Sequence, residues 1–242
     1  MTENKSNLLL VAGFIVIVLL LVWQTKDYPQ SQDSGISASG SAKLDVAPDE
    51  SQIFLRLETT AVTPKDAQDK NSARATDAIN SLLAIGLQKS DVETTNYRVE
   101  IIREWNPKLE KMQDNGYRAI HSLKATTRNL DLVGKILETA VFAGVNNIDN
   151  VIFTLSKEKQ KSAKAQVIGL AAKNAQEKAD VLASSLNVEL GKIKSVSESS
   201  FDVVPYYART DMVMESAAKA LPPIQPSDVE IQAQVNVVFN LK

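Results

Sequence analysis

The chain has 242 residues, with 27 Lys or Arg against 29 Asp or Glu, one histidine and no cysteine. A net charge of −2 at that length gathers no phosphate backbone and argues against nucleic acid as a partner. Without cysteine there is no disulfide, thiol nucleophile or cysteine metal site, and one histidine cannot make a histidine pair around a metal.

The first element is an apolar run of sixteen residues from Leu8 to Trp23. As a helix it would cover roughly 24 Å of a hydrocarbon core about 30 Å thick, slightly short for a span and long for a signal peptide. The flank decides between the two. Gln24-Thr25-Lys26-Asp27 offers no small-x-small cleavage site, and Ser37-Ala38-Ser39-Gly40 lies too far downstream. Residues 1–23 are therefore expected to be an uncleaved, single-pass membrane anchor with the following domain on the extracytoplasmic side. Residues 24–34 are polar, contain Pro29 and read as a tether. Residues 35–242 are left as one domain.

Within that domain Ile36 to Val46 alternates apolar and polar residues, a half-buried strand, and Ala47-Pro48-Asp49-Glu50 breaks it. A second alternating strand carries Ile53, Leu55 and Leu57, so an antiparallel hairpin with the first is expected. Thr63-Pro64 starts a helix that ends at Gly86. Tyr97 to Trp105 and Tyr117 to Ala125 are strands joined across Asn106 to Gly116. A short helix follows from about Asp131 to Ala143, then a strand at Val151 to Leu155. The longest helix, from about Lys157 to Leu186, carries an alanine-rich stripe read as close packing on a sheet. A strand with Ile193 and Val196 comes next. The final strand alternates Val229, Ile231, Ala233, Val235, Val237 and Phe239 with polar residues, and its place at the chain end suggests a sheet edge. These patterns predict an α+β fold, a mixed and largely antiparallel sheet of about seven strands with helices on one face.

The order of several short motifs carries a resemblance. They are Ile36-x-Ala38-x-Gly40 leading to Ala47-Pro48-Asp49, the strand entry at Thr94 to Tyr97, Gly116-Tyr117-Arg118-Ala119 and Leu130-Asp131-x-x-Gly134. Ala143-Gly144-Val145-Asn146-x-Ile148, the alanine-rich helix ending at Leu190-Gly191, and the valine-rich last strand continue the series. Together, over about Gly35 to Leu241, they resemble the SIMPL domain family. The family's usual Pro-Gly before the last strand is Pro226-Ser227 here. The resemblance implies an extracytoplasmic α+β domain that assembles into rings, has no established catalytic residues, and is linked to the cell envelope and stress response.

Candidate sites are sparse. His121 shares a strand face with Tyr117, Ala119 and Leu123 and reads as a structural histidine. Asp45, Asp49 and Glu50 read as turn chemistry before a cation site, and no serine sits in a nucleophile elbow. No catalytic, metal or cofactor-binding residue is assigned, and no small-molecule substrate is identified. The segment 201–228 reads as a long loop, and its exposed Tyr206, Tyr207, Met212 and Met214 are the candidate partner contacts. The expectation is a non-enzymatic, self-assembling homo-oligomer. A pore or channel-like ring component of the envelope is the alternative, and a hydrolase stands behind both.

Overall fold

A computed structural model describes residues 35–208 and 226–242. The expected anchor at Leu8–Trp23, the tether, and Met212 and Met214 lie outside these residues. Among the described residues no helix is long and apolar enough to cross a membrane.

The elements run β1 (Gly35–Val46), β2 (Glu50–Ala61), α1 (Pro64–Ala84), β3 (Val92–Asn106), β4 (Lys111–Thr127), α2 (Val133–Phe142), β5 (Asn147–Thr154), α3 (Lys157–Ser185), β6 (Leu190–Val204), β7 (Tyr206–Ala208) and β8 (Val229–Leu241). The α+β class and the antiparallel pairing hold, but there are two sheets where one was expected. They are ordered β1-β8-β6 and β3-β4-β2-β5-β7. Alternation shows which face of a strand is buried and is silent about its neighbour. That is why the expected β1–β2 hairpin is absent. β1 pairs instead with β8 from Gly35↔Asn240 to Val46↔Val229, while β2 pairs with β4 and β5. The last strand is likewise central in its sheet, with β1 on one side and β6 on the other, so it offers no edge.

Each sheet has its own core. In the first, α3 lies across β1 and β8 and barely reaches β6. Its buried residues, Ala163, Val167, Ala171, Ala175, Ala179 and Ala183, are small, so the helix axis comes close to the strands. Gly40 marks the tightest approach. A Cβ there would stand 2.0 Å from the Ala171 carbonyl oxygen and 2.3 Å from the Ala175 nitrogen. The alanine stripe is thus sheet packing. In the second core, α1 and α2 cover Ile53, Leu55, Leu57, Leu123 and Phe153 with Leu82, Ile136 and Leu137. Buried Asn71 ties α1 down by donating through Nδ2 to the carbonyls of Leu57 on β2 and Ala119 on β4, both at 3.1 Å. Thr63 and Ser156 cap α1 and α3 by accepting from the amides of Asp66 and Lys159.

The turn at 47–49 crosses from one sheet to the other, and Asp49 fastens it. Its carboxylate accepts from the Ser156 amide and hydroxyl, both at 2.7 Å, and its own amide donates to the Thr154 carbonyl at 3.2 Å. Lys159 donates to the Ala47 carbonyl at 2.7 Å. The acidic turn therefore serves as a clasp between the two sheets at the start of α3.

Candidate functional site

Enzyme chemistry needs a nucleophile, base or metal set converging on a cleft. His121, on β4, has its Nε2 2.9 Å from the Thr94 hydroxyl and lies edge-on to the Tyr97 ring at 5.4 Å between centroids. Burial lowers its pKa. Its neighbours are thus a hydroxyl and a phenol ring, and among the described residues no acidic side chain hydrogen-bonds it to orient it as a base. Asp45, Asp49 and Glu50 do not converge, and among the described residues no group of three acidic or histidine side chains could hold a metal ion. A shallow groove of about 460 Å³ crosses the outer face of the three-stranded sheet, bordered by Ser41, Lys43, Ser200, Asp202, Gln232 and Gln234. It is open to water and places no titratable pair in an apolar wall. Such a surface can hydrogen-bond, but it supplies no shielded site for covalent or acid–base work.

What the fold does present is unpaired strand. Each sheet ends in two edges, and they are treated differently. On β1 the bare edge is met from α3: Asn174 Oδ1 accepts from the Ser41 amide at 3.2 Å, and Lys178 Nζ donates to the Ser39 carbonyl at 2.9 Å. The five-stranded sheet ends at β7, an edge of only three residues that pairs with β5 from Val151↔Ala208 to Phe153↔Tyr206. On β3 and β6, each fifteen residues long, no strand among the described residues closes the outer side. Both carry exposed apolar side chains. On β3 these are Tyr97, Val99, Ile101 and Trp105, and beyond Ile101, past the end of β2, β3 and β4 run on as a two-stranded ribbon where Trp105 faces Met112. On β6 they are Ile193, Val196 and Val204. Unpaired amides and carbonyls beside exposed apolar groups are what strand addition by another chain uses.

The expected loop at 201–228 begins as structure. Phe201 to Val204 complete β6, with Lys164 Nζ 4.6 Å from the Phe201 ring centre, and residues 206–208 form β7. Of the candidate contacts, Tyr206 packs against Phe153 at 6.2 Å between ring centres and belongs to the core margin, whereas Tyr207 is 56% exposed. The edges on β3 and β6 were missed because both sequences read as ordinary half-buried strands. The one available signal was the weak alternation in Lys192 to Ser200, where few residues ask for burial.

Two antiparallel sheets, each backed by its own helices and ending in exposed edge strands, define the protein as an α+β module. The chain belongs to the SIMPL family, described as a protein of unknown function (DUF541), whose pattern it matches over residues 36–239. It is 26% identical to the "26 kDa periplasmic immunogenic protein" of Brucella melitensis, with both chains covered in full. It is 27% identical to the "Uncharacterized protein YggE" of Escherichia coli K12 over 86% of this chain and 83% of that one.

Proposed function

We propose that this chain is a membrane-anchored, extracytoplasmic SIMPL-domain protein of the cell envelope that acts by self-assembly, without enzyme activity, in a stress-related role. The observation that carries the self-assembly is the pair of long edge strands, β3 and β6, which no strand among the described residues covers, beside a β1 edge met by α3 and a β7 edge only three residues long. A fold that blunts two edges and leaves two apolar ones bare has surface to offer a partner. The periplasmic name of the Brucella relative and the apolar run Leu8–Trp23 support the extracytoplasmic, anchored placement.

The test is the mass of the full chain extracted in mild detergent, measured by light scattering with the detergent contribution subtracted. A multiple of 26.4 kDa is expected. A single-copy mass at tens of micromolar rejects self-assembly. Retention in the membrane pellet after a carbonate wash is expected of the anchor, and release into the supernatant rejects it.

A further inference from the structure

α3 lies mainly over β1 and β8, so the helix-side face of β6 is covered only in part, at Leu190, Phe201 and Val203. Ile193 and Val196 are 55% and 58% exposed there. The side of α3 that looks toward β6 is fixed by Lys164, whose Nζ pairs with Glu198 at 2.7 Å. Leu182 lies eighteen residues further on, five full turns at about 3.6 residues each, and Leu186 one turn beyond; both are exposed. An apolar strip therefore runs beside an open strand edge.

The charge pattern on β6 is self-complementary. Lys192 lies near its start and Asp202 near its end, placed evenly about Ser197. Two β6 strands laid antiparallel with Ser197 opposite itself set each Lys192 against the other copy's Asp202, and each Ile193 against Phe201. Residues directly opposite in an antiparallel pair share a face, so both contacts are geometrically open. We propose that a second copy of this chain binds along β6, the two strands pairing antiparallel about a two-fold axis at Ser197, so that two three-stranded sheets become one continuous sheet. The pairing rests on the self-assembly reading and names the surface it uses. Main-chain hydrogen bonds along the edge supply affinity, and the Lys192–Asp202 contacts and the apolar strip fix the register. The two-fold makes the interface isologous, the commonest arrangement in homo-oligomers. β1 cannot substitute, because Asn174 and Lys178 occupy its edge.

The native chain has no cysteine, so single cysteines report cleanly. Opposed Cα atoms about 4.5–5.5 Å apart suit a disulfide. Mild oxidation of the detergent-solubilised full chain carrying Ser197→Cys should convert most of it to a covalent dimer. Val99→Cys on β3 and Ser37→Cys on β1 should not. Lys192→Glu alone and Asp202→Lys alone should each weaken association about tenfold, and the double variant should return to within about threefold of the native chain. If the native chain is oligomeric by mass but Ser197→Cys fails to cross-link, or the double variant shows no rescue, the β6 pairing is overturned and self-assembly by another surface stands. If Val99→Cys cross-links in its place, β3 is that surface. A native chain of single-copy mass overturns both readings.

Discussion

Gly40 and Asp49 each fix one close contact in this architecture, Gly40 between α3 and β1 and Asp49 at the turn between the sheets. At Gly40 the obstacle to a side chain is backbone on α3, which cannot rotate away as a flexible side chain would. Gly40→Ala should therefore push α3 off β1 and cost about 1–3 kcal/mol, read as a fall in the denaturant midpoint. An unchanged midpoint would mean that the helix is seated further from the sheet. Asp49 and His121 each contribute to the pH response. For Asp49, burial on its own would raise the pKa, but the hydrogen bonds from Ser156 and the charge of Lys159 outweigh it and hold the carboxyl below its usual value. For His121, burial alone lowers the pKa. Both groups favour their deprotonated forms in the folded chain, so both contributions are present at high pH and fade on acidification. The His121 share should decline as pH falls below its ordinary 6.5, and the Asp49 share only below 3.8. Thermal melts between pH 7 and pH 5 should show a loss of Tm that is absent in His121→Gln. A loss of equal size in that variant would remove His121 as its source.

At the scale of elements, the residue patterns gave strand and helix positions well and strand partners badly. The start of α1 was readable because Thr63-Pro64 is capping chemistry local to the chain; α3 was found by its alanine-rich period, and its Ser156 cap went unread. The alanine stripe announced close packing because only small side chains allow it. The partners of β1 and β8 were not readable, because Val46↔Val229 and Gly35↔Asn240 join opposite ends of the chain and alternation is the same beside any neighbour. β7 was hidden for a related reason, being three residues that become strand only by resting on β5. The candidate contacts were half legible: aromatic content pointed at Tyr206 and Tyr207, but only the packing separates the half-buried ring from the exposed one. Edge capping was illegible too, since Asn174 and Lys178 look like ordinary exposed helix residues until β1 lies beside them. Asn174→Ala with Lys178→Ala should free the β1 edge and raise aggregation on heating, measured by light scattering, while the melting midpoint shifts by less than about 1 kcal/mol equivalent. If the double variant stays as clear as the native chain, those side chains do not guard the edge.

Across the whole molecule, the two buried clusters share no residue, and the connection between them is a narrow seam. Among the described residues it includes the turn 47–49 with its Asp49–Ser156 clasp, the Arg128–Glu158 ion pair at 2.8 Å, and the chain passages from β5 to α3 and from β6 to β7. A seam of hydrogen bonds transmits little packing energy compared with a shared apolar core, where every methylene lost is felt by its neighbours. Damage to one core should therefore stay largely on its own side. Leu137→Ala removes a fully buried side chain from beneath α2 and should cost about 2–5 kcal/mol locally. Hydrogen exchange followed by mass spectrometry should show protection falling across α1, α2, β2 and β4. The amides of α3, β1 and β8 should keep nearly native rates, because their packing against Val167, Ala171 and Phe239 is untouched. In Asp49→Ala the same experiment should show the opposite distribution, with both cores protected and faster exchange confined to residues near 47–50 and 154–159. Uniform loss of protection through both sheets in Leu137→Ala would mean that the clasp couples them into one cooperative unit. The β6 edge would then inherit instability from any defect in the distant five-stranded sheet.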